Sequence, residues 1–175
     1  MNTTSSNSLL AAYAVEKLRD HFAQARRCVG LLNDEQLWFR PNESSNSVAN
    51  LLLHLRGNIG QWIAAGLGRQ PLDRDRRAEF AQRTGLPRTS LLEPLREMLD
   101  QATSVIGRMD DAALAREYEI QEYRVTGVAA VAHVLEHFAF HTGQIVTTTK
   151  WLLNVDLSLY DENGHRRDGR NEGTP

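Results

Sequence analysis

Three of the chain's six histidines lie in one segment, HVLEHFAFHTGQI, which spans residues 133–145. His133, His137 and His141 follow one another at intervals of four residues. In an α-helix this spacing places the three imidazoles in one slowly drifting stripe, because each residue turns the side chain by about 100°. Histidines on adjacent turns, with Cβ atoms about 6 Å apart, can share a metal ion. The stripe therefore indicates either a metal site or a polar seam on a packed helix.

The helical rise limits which histidines can share an ion. His133 and His141 are two turns apart, about 12 Å along the axis, which is too far for one mononuclear site. A single ion would be bound by His133 with His137 or by His137 with His141. Because a catalytic zinc site usually has three protein ligands, a third is expected from elsewhere. His54 is the natural candidate, since it lies among apolar residues in VANLLLHLRGNIGQW, where an imidazole needs a partner.

Two other metal templates fit the sequence less well. The zincin motif H-E-x-x-H needs a glutamate directly after the first histidine, but Phe138 follows His137. A di-iron carboxylate bundle needs Glu-x-x-His, whereas Ala139 lies three residues after Glu136. A site made of imidazoles alone leaves Zn, Ni, Cu and Fe all admissible.

Four segments have the apolar periodicity of amphipathic helices. They span approximately residues 8–32, 48–68, 89–110 and 127–153. Ser47 and Thr126 are the predicted N-caps of the second and fourth helices. The third helix tolerates Pro94 only because this proline is expected at about its first turn. Four long helices and almost no strand pattern predict an all-α four-helix bundle.

The segments between the predicted helices contain sequence patterns that also predict local structure. Residues 34–47 contain a proline and a Ser/Asn cluster and predict a loop. Residues 69–88 mix acidic and basic side chains with two prolines, which favours a solvated linker or short irregular helices over a nucleic-acid patch. Residues 117–125 permit a short extended stretch. Gly57 and Gly60, inside the second helix, each cost roughly 1 kcal/mol against alanine, so a neighbouring helix or a ligand is expected to approach there.

Composition is that of an ordinary globular protein. The 175 residues, 41% of them hydrophobic and 24% charged, predict one domain over residues 1–160, with disorder at 1–7 and a mobile tail at 161–175. The formal net charge of −2 gives no reason to expect a nucleic-acid partner. The lone Cys28 excludes an intrachain disulfide and fits a reducing compartment. With no basic leader and no apolar span of about 20 residues, a cytoplasmic protein without a membrane partner is expected.

HLRGNIGQWI around His54, together with HVLEHFAFHTGQI, resembles the DinB-like (YfiT-like) superfamily of metal-dependent proteins. The similarity covers most of residues 8–155 and includes EIQEYRVTGVAAVAHVLEHFAFHTGQIVTTTKWL. It implies a four-helix bundle with one long crossover connection. It also implies a divalent-metal site with one histidine from the second helix and two from the last, here His54, His137 and His141. His133 would then be a neighbour and a candidate proton donor.

The resemblance also implies an activity, because the superfamily includes transferases and isomerases that use low-molecular-weight thiols such as bacillithiol or mycothiol. A divalent ion (Zn, Ni or Fe) would activate such a thiol, or water, for transfer to a small electrophilic substrate. His133, Glu136 and Gln144 are the candidate catalytic residues, while Asn58 and Gln61 could orient a substrate or an imidazole.

Two alternatives to the transferase stay open. One is a metal-dependent hydrolase of a small substrate, and the other is a non-catalytic metal-binding or dimerising helical protein. Spare apolar faces on two bundle helices would allow a homodimer, although the sequence has no heptad seam long enough to predict one. Trp62, Phe138 and Phe140 are expected in the core rather than in a substrate pocket, and Cys28 as a buried small hydrophobe rather than a nucleophile. His21 and His165 are expected to lie outside any site.

Overall fold

Helices make up most of the chain in the computed structural model, which describes residues 8–164. The described elements, in chain order, are α1 (Leu9–Leu31), α2 (Asp34–Trp38), α3 (Val48–Ile59), the π-helical segment π1 (Gly60–Leu67), α4 (Arg76–Ala81), α5 (Arg88–Ile106), α6 (Asp111–Ala115), the strands β1 (Glu117–Ile120) and β2 (Tyr123–Thr126), and α7 (Gly127–Leu153). The predictions for residues 1–7 and for the tail from His165 onward lie outside the described residues.

The long helices α1, α3, α5 and α7 form a bundle in which α1 packs against α5 and α7, and α3 packs against the same two. Consecutive long helices α1 and α3 therefore lie at opposite corners, and the order is not that of a simple up-and-down bundle. The all-α four-helix bundle is confirmed. Because α3 packs beside α7, side chains from both helices can contribute to one site.

Large apolar side chains from all four long helices fill the core. Fully buried examples are Leu18, Leu52, Leu55, Leu95, Ile106, Phe138 and Ile145. Burying a side chain of this size stabilises the fold by about 1.5–3 kcal/mol relative to leaving it exposed. The first turns of α3 and α7 begin as predicted, because the Ser47 side chain accepts a hydrogen bond from the Asn50 N–H and Thr126 accepts one from Ala129 N–H.

Close approach to the helix backbone explains both glycines of the second long helix. A Cβ at Gly57 would lie 1.9 Å from Glu79 Oε1, and a Cβ at Gly60 would lie 3.1 Å from Met98 Sδ. The expectation that another part of the molecule reaches the helix at these positions is confirmed. Only a residue without a side chain leaves room for the Glu79 carboxylate at Gly57.

Three local features differ from the predictions or refine them. Helix α5 begins at Arg88, so Pro94 lies in its second turn, deeper than expected, and has no N–H to give to the Ser90 carbonyl. The connection over residues 34–47 contains the short helix α2 at its start. The extended stretch is confirmed as an antiparallel hairpin in which Tyr118 faces Val125 across β1 and β2.

Within residues 8–164, no helix combines the length and apolar character needed to cross a bilayer.

Candidate metal centre

The three histidines proposed as ligands from the sequence come together in space. His54 lies on α3, and His137 and His141 lie on adjacent turns of α7. One potential ligand atom from each forms a set whose members all lie within 4.8 Å of one another. The Nε2 atoms of His54 and His137 are 2.9 Å apart. His54 and His141 are buried, with 5% and 8% of their surface exposed, and His137 is half-buried.

The size of this nitrogen cluster suits one divalent ion. Two nitrogens bound to one zinc ion, at about 2.0–2.1 Å each, can be at most about 4.2 Å apart. The pair of His54 and His137 satisfies this limit at 2.9 Å. The outer bound of 4.8 Å for the whole set requires only a small movement of a ring. Three imidazoles are also a donor set that zinc, nickel and iron accept, so the residues fit such an ion.

Hydrogen bonds at Nδ1 leave Nε2 as the remaining ligand atom of two of the histidines. His54 Nδ1 lies 2.9 Å from Glu79 Oε2, and His141 Nδ1 lies 2.6 Å from Gln144 Oε1. A carboxylate and an amide oxygen only accept hydrogen bonds, so both Nδ1 atoms donate. The lone pair of a neutral imidazole is then on Nε2, which is the arrangement that a metal ligand needs.

All three α7 histidines are held in the neutral form. Burial lowers the pKa of His137 to about 3, and the neighbouring imidazoles act in the same direction. Burial lowers the pKa of His141, against the opposing hydrogen bond with Gln144. Burial also lowers the pKa of His133, against the opposing charge of Glu136. Because only neutral imidazole binds a metal, these shifts keep the α7 nitrogens available at neutral pH.

Sequence reasoning missed two charged residues beside His54. Arg74 precedes α4 and Glu79 lies within it, in the segment expected to be a solvated linker or irregular helices. A short helix is present, but the solvated interpretation is wrong for these two side chains, which are 8% and 9% exposed. Arg74 donates to both carboxylate oxygens of Glu79, at 2.7 and 2.9 Å. Burial opposes ionisation of Glu79, but the hydrogen bonds from Arg74 and His54 outweigh it and lower the pKa of this carboxyl.

The other candidate catalytic residues lie around the cluster rather than in it. His133 Nε2 is 3.3 Å from Asn58 Nδ2, and the His133 ring lies against Trp62, with ring centroids 4.1 Å apart. Glu136 is exposed on α7. Among the described residues, the set of potential ligand atoms includes neither His133 nor Glu136. His21 lies half-buried on α1 and is also outside this set.

A groove of about 750 Å³ is lined by Gln144, which accepts the hydrogen bond from His141 Nδ1, but by none of the three clustered histidines. Phe140 and Trp151 line it together with Ser44, Ser45 and Thr148. The prediction that Phe140 belongs to the core is wrong, because 64% of its surface is exposed. Phe138 is in the core as predicted, and Trp62 is partly buried and packs against the core.

Cys28 is fully buried on α1. Burial raises the pKa of its thiol, against the opposing hydrogen bond with Thr149. A buried, protonated thiol agrees with the expectation of a packing residue rather than a nucleophile.

A family model described as "Protein of unknown function (DUF1572)" matches residues 5–160. The chain belongs to the DUF1572 family. Among proteins with curated functions, none matches the sequence.

Solved structures give this DUF1572 protein a DinB-like fold. A conserved protein from Enterococcus faecalis aligns over 89% of this chain and 99% of its own, with a TM-score of 0.70 and 15% identity. A DinB-like protein from Bacillus subtilis aligns over 88% of this chain and 99% of its own (TM-score 0.64, 16% identity). A DinB-like protein from Bacillus cereus aligns over 79% and 90% (TM-score 0.64, 11% identity). The DinB-like fold implied by the resemblance is confirmed, and at these identities the likeness shows the fold alone.

Proposed function

We propose that this DUF1572 protein is a divalent-metal-dependent enzyme in which His54, His137 and His141 hold the ion. The observation that supports the proposal most directly is the convergence of three imidazoles from two helices, within 4.8 Å of one another. A polar seam on a packed helix would need only the α7 stripe. A metal site needs a third ligand from another part of the chain, whereas a polar seam does not. His54, 83 residues before His137, occupies the position of that third ligand.

With a divalent ion bound, this centre supplies Lewis acidity that lowers the pKa of a bound thiol or water. The chain contributes the arrangement around it. Burial excludes water from His54 and His141, and acceptors at Nδ1 hold both rings in one tautomer. Because two of the three nitrogens are fixed in advance, little reorganisation is needed when a ligand arrives.

The groove beside Gln144 is the proposed substrate site. Its volume of about 750 Å³ lies within the range of small-molecule pockets, and it pairs exposed aromatic rings with hydroxyl groups. Phe140 connects it to the centre, because its ring centroid lies 5.3 Å from that of His141. A small electrophile with an apolar part would pack on Phe140 and Trp151, while Gln144 orients its polar end.

His133 is the proposed proton donor or acceptor for the thiol or water that the ion activates, because it lies on the His137 side of the centre, away from the groove. It lies one turn before His137, with the two rings stacked at 5.6 Å, and Asn58 and Trp62 fix its orientation. Glu136 influences His133 only through its charge. We therefore assign a catalytic role to His133 ahead of Glu136.

Metal content tests the proposal. Untagged wild-type protein, prepared without chelators, should contain about one ion per chain by mass spectrometry, as expected for a three-ligand site. His54→Ala, His137→Ala and His141→Ala should each lose it, while His133→Ala, the matched control on the same helical stripe, should retain it. Loss in His133→Ala but not in His141→Ala would assign the ion to the other pair of histidines. A folded wild-type protein that takes up neither zinc nor nickel would exclude the metalloenzyme.

The class of reaction is tested on the metal-loaded protein. We propose activation of a low-molecular-weight thiol, and a thiol–metal charge-transfer band with cobalt or nickel in the site should appear when bacillithiol or mycothiol is added. Thiol-dependent consumption of an electrophile should then be lost in His137→Ala. Ester or amide turnover without any thiol dependence would instead identify a hydrolase. Stoichiometric metal with neither activity would favour the non-catalytic alternative.

A further inference from the structure

We propose that Glu79, clamped by Arg74, is a positioning residue that fixes His54 for metal binding; this inference rests on the metal site proposed above. The structure builds this support from one stripe of α3 and π1 and from the segment that precedes and includes α4. None of these contacts involves the α7 ligands, so His54 has a support of its own.

Four residues on one face of the α3–π1 helix meet this segment. Asn50, His54, Gly57 and Gln61 are spaced by four, three and four residues, the spacing of a single helix face. Asn50 contacts the α4 backbone, and His54 contacts the Glu79 carboxylate. Gly57 leaves space for that carboxylate, and Gln61 accepts a hydrogen bond from Arg74 at 3.0 Å.

The backbone of α4 is held in place by hydrogen bonds that do not involve the Glu79 side chain. The Asn50 Nδ2 group donates to the carbonyls of Glu79 and Gln82, each at 2.9 Å, and Asn50 is fully buried. Asp75 caps the helix by accepting hydrogen bonds from the N–H groups of Arg77 and Ala78. The two hydrogen bonds from Asn50 therefore fix the backbone position from which the Glu79 side chain extends.

The side chain of Glu79 determines which nitrogen of His54 is protonated. Arg74 Nη2 also lies 3.4 Å from His54 Nδ1, which would require that nitrogen to accept. The Glu79 contact at 2.9 Å is shorter and requires it to donate. Because the nearer group is an anion, Nδ1 carries the proton and Nε2 presents its lone pair to the cluster.

Arg74 prevents Glu79 from leaving this position. Its guanidinium contacts both carboxylate oxygens, so rotation of the carboxylate would break a bidentate pair. The arrangement differs from that at His141, whose Nδ1 donates to the neutral amide of an exposed Gln144. An anionic acceptor also raises the basicity of the imidazole it holds, so His54 is the ligand with the strongest support.

The experiment measures zinc affinity by competition with a chromophoric chelator, together with the cobalt absorption spectrum and the urea stability of the metal-free protein. Glu79→Gln keeps an oxygen near His54 but removes the charge. Gly57→Ala leaves Glu79 and Arg74 in the chain and displaces them with a single methyl group. The matched controls are Glu93→Gln, which removes the same charge from an exposed pair with Arg96, and Gly143→Ala, a helical glycine next to His141 with nothing within 4 Å of the added Cβ.

We expect Glu79→Gln and Gly57→Ala to bind zinc about 10–100-fold more weakly than wild type, the usual effect of losing such a partner. The cobalt spectrum should shift in both variants and in neither control. If Glu79→Gln is poorly folded, Gly57→Ala gives the answer alone, because an alanine at that point also favours the helix.

Two outcomes overturn the inference, and they are distinguishable. Wild-type protein that binds zinc, with both variants matching their controls in affinity and in cobalt spectrum, would show that Arg74 and Glu79 only tie α4 to α3, even if stability falls. Wild-type protein that binds no metal would remove the proposed site itself, and the positioning role with it.

Discussion

His54 Nε2 and His137 Nε2 lie 2.9 Å apart, although 83 residues separate the two histidines in the chain. This contact and the one between Asn58 and His133 join α3 to α7 through polar side chains beside the apolar core. A lone pair on each Nε2 would repel the other, so the contact between these two atoms needs either a proton or a cation between them. The stability of the bundle should therefore depend on what binds there.

Zinc should stabilise the folded protein through this contact. At a free zinc concentration of about 100 times the dissociation constant, binding only the folded state adds about 2.7 kcal/mol to the free energy of unfolding. His137→Ala should lose this increment, and His133→Ala should keep it. Urea unfolding with and without zinc, at fixed pH, measures the difference. An equal increment in His137→Ala would place the bound zinc elsewhere.

The metal-free protein should lose stability on acidification. His137 has a folded-state pKa of about 3, and the pKa values of His133 and His141 are also lowered, whereas unfolded histidine titrates near 6.5. Below about pH 6.5 the unfolded chain thus binds more protons than the folded one, so the free energy of unfolding falls as pH falls. Each such histidine contributes a slope of up to about 1.4 kcal/mol per pH unit. The lowered pKa of Glu79 extends the loss to more acidic pH.

Urea unfolding of chelator-treated protein between about pH 5 and 7.5 measures this slope, since that range spans the titration of unfolded histidine. His137→Ala should reduce the slope by about the contribution of one proton. Glu93→Gln, an exposed substitution on α5, should leave it unchanged. A slope that is the same in His137→Ala and in wild type would mean that His137 is protonated to the same extent in both states.

Two independent local signals point to His54 and His137, whereas the choice of His141 over His133 comes from the resemblance to the DinB-like superfamily. The four-residue spacing on α7 is a property of one helix, and a histidine inside an apolar helix needs a partner wherever it packs. Ser47 and Thr126 likewise act within their own first turns. Local chemistry of this kind can be read without knowing the tertiary structure.

The contribution of Arg74 and Glu79 was not predictable in the same way. Helix α4 has only six residues, too few to show a periodicity, and Glu79 meets His54 across 25 positions of sequence. Only tertiary packing determines that contact. The prediction that Phe140 lies in the core was wrong for another reason. Helix α7 carries apolar residues on several faces, so the sequence does not show which face stays exposed.

The N-cap of α3 should matter more for stability than that of α7. Ser47 is fully buried, and its hydroxyl donates to Asn50 Oδ1 at 2.7 Å, whereas Thr126 is exposed. Loss of an N-cap costs about 0.5–2 kcal/mol. We expect Ser47→Ala near the upper end of this range and Thr126→Ala near the lower end, by urea unfolding of the metal-free protein. The reverse order would indicate that the Ser47–Asn50 contact contributes little beyond an ordinary cap.

The buried ion pair between Arg74 and Glu79 should show strong coupling. Removing one partner of a buried pair typically costs about 3–5 kcal/mol, because the other charge is left in a poorly solvated place. Arg74→Met should therefore destabilise the metal-free protein by an amount toward the lower end of that range, since His54 still contacts Glu79. Arg96→Met, which breaks an exposed pair on α5, should change stability little.

A double-mutant cycle separates this coupling from lost packing. With Glu79→Leu as the second change, the double variant should be more stable than the sum of the two single effects by about 0.5–3 kcal/mol, since neither charge is then left alone. Urea unfolding with a constant m-value measures all four proteins on one scale. Additive effects would mean that the two charges do not interact. Solvent would then reach Arg74 and Glu79 in solution, and the burial of both side chains would be contradicted.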